Sequence, residues 1–277
     1  MSAALAETWF ETIAGLLKRR SGIAIGPDKL YLLETRLAPI LKRESLRNLA
    51  ALAVRLRGPA CEALAGEVVE AMTTNETLFF RDQKPFNHLR VSELPRLLAS
   101  RPSGRTLRIW SAAASTGQEA YSIAMLLDDC RTHIAGRPVE IVATDIAREP
   151  LARAREGLYS QFEVQRGLPV QMLVKYFRKE DDGWRINRSL RDAVQFREWN
   201  LLSDLRPLGI FDVVFCRNVL LYFDQPTKAR ELDAIAAQMA PDGVLFLGAA
   251  ETVLGITDRF APLTALQGAY HKFPMKL

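Results

Sequence analysis

The rhythm of apolar and polar positions changes near residue 100. Up to about residue 88 the apolar side chains recur at helical spacing with no convincing strand, which predicts a small all-α domain over 1–88. One helix opens at Pro27-Asp28 and gathers Leu30, Leu33, Leu37, Ile40 and Leu41 on one face; Pro39 should kink or divide it. A polar segment, ASRPSGR (Ala99–Arg105), then leads into the second region, 89–277. There, short apolar runs alternate with helical stretches. They are LRIW (Leu107–Trp110), a helix near Glu119–Leu127, VEIVATD (Val139–Asp145) and a helix near Pro150–Glu156. FDVVFCRN (Phe211–Asn218), a helix from about Pro226 to Met239 and GVLFLGAA (Gly243–Ala250) follow. Strands alternating with helices imply an α/β fold with a mainly parallel, doubly wound sheet. Between Lys175 and Asn200 the pattern changes again. KYFRKEDDGWRI predicts a hairpin turning at Asp182-Gly183 and AVQFREWN a further strand, together a small β excursion at about 173–198.

The segment RIWSAAASTGQEAYSIAM (Arg108–Met125) carries the most chemistry. Its strand runs into a turn of small residues, Ser111 to Gly117, and then straight into a helix with Ile123, Leu126 and Leu127 at helical spacing. Small residues let the backbone approach a ligand closely, and a helix N-terminus favours negative groups. A cofactor pocket is therefore expected at this turn, where α/β proteins bind nucleotide-like groups. Gly117 is the one glycine in it, which argues against the three-glycine dinucleotide fingerprint.

Other strand ends are polar too. The second strand ends at Asp145, whose carboxylate could accept both hydroxyls of a ribose; another ends at Asn200-Leu201, and the VVFC strand ends at Arg217-Asn218. Any one of these has an ordinary explanation as a cap or turn former. Four polar ends in one α/β chain point to a shared ligand edge.

Composition narrows the classes. The chain has 277 residues, of which 48% are hydrophobic and 25% charged, as expected of an ordinary globular chain with a sizeable core. No apolar run is long enough to span a bilayer and the N-terminus lacks a cleavable leader, so a cytoplasmic location is expected. Cys61, Cys130 and Cys216 are far apart, and His88, His133 and His271 sit in dissimilar contexts, so neither a disulfide framework, a metal site nor a catalytic triad is expected. The net charge of +5 is concentrated early: Lys18 to Arg57 contains ten basic residues against three acidic ones. Lys29, Arg36, Arg43 and Arg47 recur at intervals of seven, seven and four, roughly along one helix face. A solvated surface accounts for such a stripe, and so does docking to an acidic partner. Few aromatics interleave with the charges, which disfavours a nucleic-acid platform.

TTNETLFFRD (Thr73–Asp82), WSAAASTGQEAYSIAM, ATDI (Ala143–Ile146), NLL (Asn200–Leu202) and FDVVFCRNVLLYFD (Phe211–Asp224) occur in this order along the chain. In these motifs the sequence resembles the CheR-type chemoreceptor glutamate methyltransferases, over nearly its whole length. The resemblance implies a Rossmann-like methyltransferase domain that binds S-adenosylmethionine and releases S-adenosylhomocysteine, preceded by an all-α receptor-docking domain. It implies cofactor contacts at Asn75, Thr77, Arg81, Ala113, Glu119, Asp145, Asn200, Leu201, Arg217 and Asn218. Tyr222 matches the tyrosine beside the transferable methyl group, and Arg81 and Tyr222 are the candidates for orienting the acceptor carboxylate.

The implied partner is the acidic helical bundle of a chemoreceptor's cytoplasmic region, met by Lys29, Arg36, Arg43 and Arg47. Neither nucleic acid nor membrane insertion is expected, and the chain is expected to be a monomer. Relatives that grip a receptor's C-terminal peptide carry extra glycines in the β excursion, whereas KEDDGW has only Gly183; tail-independent action is expected. After the GVLFLG strand, Ala249-Ala250-Glu251 replaces the family's common His-Ser before the Glu, and no role is assigned there. A non-catalytic adaptor, a methyltransferase acting on a small molecule or another protein, and a nucleic-acid-binding module are the competing readings.

Overall fold

A computed structural model describes residues 3–59, 61–134 and 136–273, which divide into two compact units. The first holds the residues up to Thr74 together with Tyr222–Thr227, and the second holds Asn75–Leu221 and the chain from Lys228 onward. The boundary therefore falls at 74/75 and not near residue 88. The reason is apolar: Phe79, Phe80, Phe86 and Leu89 belong to the core of the second unit.

The first unit is helical: α1 (Ala3–Ser21), α2 (Leu30–Arg43), α3 (Leu49–Leu56) and α4 (Glu62–Met72). Asn48 caps α3, its side-chain oxygen accepting the Ala51 N–H at 2.9 Å. In α2, Leu33, Leu37 and Ile40 are buried, while Leu30 and Leu41 are only half-buried. The helix also continues through Pro39 instead of dividing. Pro39 and Thr35 are both exposed, so the carbonyl that loses its amide donor lies on the solvent side. The 222–227 segment joins this unit through the Ala24 N–H, which donates to the Tyr222 carbonyl at 2.8 Å, and through a Lys18–Asp224 ion pair at 2.6 Å.

The second unit begins with α5 (Lys84–His88) and α6 (Leu94–Ala99), then β1 (Leu107–Ala112), α7 (Gln118–Asp129), α8 (Arg131–Ile134), β2 (Val139–Asp145) and α9 (Arg148–Glu156). Next come β3 (Leu158–Tyr159), α10 (Gln161–Gln165), α11 (Val170–Tyr176), β4 (Phe177–Glu180), β5 (Gly183–Ile186), α12 (Arg188–Asp192) and β6 (Val194–Glu198). It ends with β7 (Phe211–Cys216), α13 (Gln225–Ala237), β8 (Met239–Leu247), β9 (Phe260–Pro262) and β10 (Ala269–Lys272), of which the first residues of α13 lie in the first unit. Seven strands form one sheet in the order β6-β2-β1-β7-β8-β10-β9. The first five run parallel, and β10 is antiparallel to β8 and β9. Strand order reverses between β1 and β7, which places a ligand crevice at their carboxyl ends. No described helix is long and apolar enough to cross a membrane.

Three details differ from the expected β excursion. The separate sheet has the order β3-β5-β4, so it recruits Leu158-Tyr159 from far upstream. The strand predicted from AVQFREWN joins the main sheet instead, where β6 pairs parallel with β2 from Ile141↔Val194 to Asp145↔Glu198. The hairpin turn is Asp181-Asp182, because Glu180 pairs with Gly183.

The segment expected to be a polar connector carries a buried charge. The Arg101 side chain is 2% exposed and pairs with Asp212 at 2.8 Å, itself 2% exposed, and with Asp242 at 2.7 Å. The other Asp212 oxygen accepts the Arg108 N–H at 2.9 Å, which ties the start of β1 to β7. Arg101→Ala leaves the buried Asp212 carboxylate with Arg105, at 3.2 Å, as its remaining cation, and should lower the unfolding free energy by about 3 kcal/mol, read from urea denaturation.

Candidate cofactor-binding site

Sheet register brings the expected positions to one edge. Ala112 pairs with both Thr144 and Cys216, and Cys216 pairs with Leu247. Ala113, Asp145, Arg217 and Gly248 therefore each stand one residue beyond level rungs. Asn200 follows two residues after Glu198, the rung partner of Asp145.

The turn after β1 is left-handed three times, at Ala113 (φ 59°), Ser115 (φ 52°) and Gly117 (φ 92°). Only glycine takes such values without strain, so the two non-glycine residues need something to hold them. Asp145 supplies it: one carboxylate oxygen accepts the Ser115 N–H at 2.7 Å, the other the Ala147 N–H at 2.9 Å. The Ser115 hydroxyl donates to the Asn75 carbonyl at 2.8 Å, fastening the 75–82 strap to the turn. At Gly117 a Cβ would lie 2.9 Å from the Ala154 Cβ, so a side chain there would push α9 away.

Arg217 joins the remaining pieces. Its side chain is 2% exposed; one terminal nitrogen donates to Glu119 at 3.0 Å, the other to Asp82 at 2.6 Å and to the Arg81 carbonyl at 2.9 Å. The second Glu119 oxygen accepts from the Ser111 hydroxyl at 2.8 Å. Burial pushes the Glu119 carboxyl above the ordinary carboxylate range, and the Arg217 guanidinium opposes that shift. The strap is strained where it meets this group, with φ of 49° at Phe80, 65° at Asp82 and 38° at Gln83.

The remaining expected positions divide. Asn75 and Thr77 line a cavity of about 260 Å³ together with Thr116 and Gln118 from the turn. Asn200 folds its side chain back to accept the Leu202 N–H at 3.0 Å, beside a buried Leu201. Arg81 is half-buried and donates to the Glu76 carbonyl at 3.1 Å. Tyr222 closes a short 3-10 turn, Leu220–Tyr222, and is grouped with the helical unit. Two of the expected docking cations are engaged within that unit. Arg36 donates to the carbonyls of Met72 and Thr73, at 2.8 and 3.0 Å, so it ties α2 to the end of α4 and is not a free surface charge. Arg43 pairs with Glu67 and Glu44. Lys29 and Arg47 are exposed and form no ion pair among the described residues.

Glu251, to which the sequence assigned no role, braces the rim of the site. One of its oxygens accepts the N–H groups of Asn218 (2.8 Å) and Gly248 (2.7 Å), the other those of Val219 (3.0 Å) and Leu221 (3.1 Å). That clamp holds Asn218 at φ 60° and sets the path of the chain after Arg217. Its signal in the sequence was a lone acid four residues past a strand end. Gly248 allows the approach, since a Cβ would sit 2.7 Å from the Asn218 side-chain nitrogen and 2.8 Å from Glu251.

The donor set fits S-adenosylmethionine. A buried carboxylate is an acceptor-only group suited to a ribose diol, the small-residue turn admits close backbone approach, and a second carboxylate stands in the first turn of α7. Glu251→Gln turns amide hydrogens toward backbone donors. It should lower the unfolding free energy by roughly 1–3 kcal/mol, with faster hydrogen exchange at Asn218, Val219 and Leu221.

Comparison with known proteins agrees with this geometry. A family model for the all-alpha domain of CheR methyltransferases matches residues 8–73, and one for the CheR methyltransferase SAM binding domain matches residues 75–268. The chain is 39% identical over 276 residues to chemotaxis protein methyltransferase 1 of Pseudomonas aeruginosa, covering 98% of this chain and 99% of that protein. It is 38% identical over 267 residues to chemotaxis protein methyltransferase Cher2 of Pseudomonas putida, covering 95% and 97%. With the chemotaxis protein methyltransferase of Borreliella burgdorferi it shares 33% identity over 239 residues, 84% of each chain. The chain belongs to the CheR methyltransferase family, with that family's all-α domain and its S-adenosylmethionine-binding domain meeting at Thr74 and Asn75.

Proposed function

We propose that this chain transfers the methyl group of S-adenosylmethionine to glutamate side-chain carboxylates of chemoreceptors, and does so without a tether peptide at the receptor's C-terminus. The observation that carries this reading is the strand-end cradle, in which Asp145 braces the left-handed turn beside the Arg217 group. The names of the relatives, chemotaxis protein methyltransferases, support the substrate class.

When bound, S-adenosylmethionine supplies a methyl group on a positively charged sulfur. Asp145 accepts the ribose hydroxyls, Asn200 and Leu201 border the adenine, and Asn75, Thr77, Ala113 and Asn218 line the pocket wall. Glu119 faces the ammonium of the methionine moiety, and its partner Arg217 opposes the rise that burial imposes on its carboxyl. Arg81 and Tyr222 orient the acceptor. A glutamate carboxylate, with an ordinary pKa of about 4.3, is ionised near neutrality, so the reaction needs no general base. It needs in-line placement at about 3–3.5 Å and exclusion of water while the two opposite charges neutralise. The two-residue Asp181-Asp182 turn and single glycine of the hairpin support tail independence.

The test is methyl transfer from labelled S-adenosylmethionine to a chemoreceptor cytoplasmic fragment, scored as volatile methanol after mild alkali. Base-labile label at equal rates with and without the receptor's last residues is the expected result. Alkali-stable label would refute carboxyl methylation, and no transfer despite cofactor binding would favour an adaptor. Asp145→Ala should weaken cofactor binding about tenfold or more by calorimetry, whereas Tyr222→Phe and Arg81→Ala should lower turnover. Turnover should rise with pH through the ionisation of the acceptor at about 4–5 and level off toward neutrality.

The helical unit docks the acidic receptor bundle through Lys29 and Arg47, the two of the four expected docking cations that form no ion pair among the described residues. Lys29→Glu with Arg47→Glu should slow receptor methylation several-fold at low ionic strength and much less at high salt. An unchanged rate at low salt would rule this docking face out.

A further inference from the structure

On the edge strand β6, a second concave site lies apart from the cradle. Arg155 reaches it from the last turn of α9, Arg188 and Arg191 from α12, and Val194 and Phe196 of β6 form its apolar wall. Its volume is about 480 Å³, within the range of small-ligand sites. Asp192 is the one acidic side chain in the lining, so the site carries a net charge near +2.

Each guanidinium is placed by one local contact that leaves most of its five donors available. Arg155 donates to the Phe196 carbonyl at 3.0 Å, and Arg191 reaches the Glu156 carbonyl at 3.4 Å. Arg188 contacts Asp192 at 3.3 Å. The stem of Arg191 lies over Gly157, where a Cβ would come within 2.8 Å of its Cδ, so that glycine admits it. Arg191 Nε is buried and has no hydrogen-bond partner among the described residues, which leaves the terminal nitrogens as the donors that can meet a ligand. All three cations are arginine. Their planar forks match the oxygens of a phosphate, where a lysine would offer only a point charge. A phosphate monoester carries about −1.5 to −2 at neutral pH, which balances this lining; a single carboxylate would not.

We infer that Arg155, Arg188 and Arg191 form a binding site for the phosphate of a phosphomonoester, separate from the methyl-transfer site. Soluble metabolites and the headgroup of phosphatidic acid both present that chemistry. The full-length protein is titrated calorimetrically with glycerol 3-phosphate, and floated with phosphatidylcholine vesicles with and without phosphatidic acid. Saturable binding of glycerol 3-phosphate assigns a soluble ligand, and binding only to phosphatidic-acid vesicles assigns a lipid one. In either case Arg155→Gln with Arg191→Gln should weaken binding about tenfold or more, with S-adenosylmethionine affinity unchanged as the check on folding. Arg188→Glu, at a side chain 85% exposed, should do the same without disturbing the core. Binding to neither probe, or equal binding by the native protein and the Arg188→Glu variant, would overturn the assignment.

Discussion

A guanidinium that is 2% exposed has to be neutralised where it stands, and Arg217 does this with groups from two other parts of the α/β unit. Glu119 comes from the helix after β1, and Asp82 and the Arg81 carbonyl come from the strap that opens the unit. Removing an ion from water is costly unless every partner is in place, so these three segments are positioned together or not at all. The strained backbone at Phe80, Asp82 and Gln83 lies where the strap bends to reach this group. A cofactor site assembled from distant segments needs such a device, because no single segment carries enough of it.

Two carboxylates do a related job with backbone amides. Asp145 holds the turn after β1 in a conformation that non-glycine residues avoid, and Glu251 does the same for the turn after β7. Both spend an acceptor-rich side chain on the chain's own N–H groups at the strand ends. The consequence is a rim of preorganised loops, which supports chemistry that depends on alignment more than on proton transfer.

The fold was legible wherever pattern and period were strong. Val139–Asp145 and the helices beginning near Glu119 and Pro150 follow from local hydrophobic spacing, and the structure places them within a few residues of that reading. Less was legible where partner choice decides. AVQFREWN has the period of a strand in either sheet, and only pairing with β2 assigns it to the large one. Arg101 sits in a stretch of Pro, Ser and Gly that reads as a linker, yet Asp212, 111 residues away, buries it. The helical stripe of cations looked uniform, but the carbonyls of Met72 and Thr73 occupy Arg36, and Glu67 shares Arg43.

By itself the sequence determined the alternation of strands and helices, the small-residue turn, the polar strand ends and, through its motifs, the family. Those properties are local, because side-chain period and turn chemistry act over a few residues. Tertiary structure alone decided which polar groups meet. The register Ala112↔Cys216 and Ala112↔Thr144 sets Arg217 and Asp145 at one level. Arg217 and Glu119, 98 residues apart in the chain, are joined only there. The role of Glu251 was settled in the same way, since its four amides come from two loops that only the parallel pairing of β7 and β8 brings together.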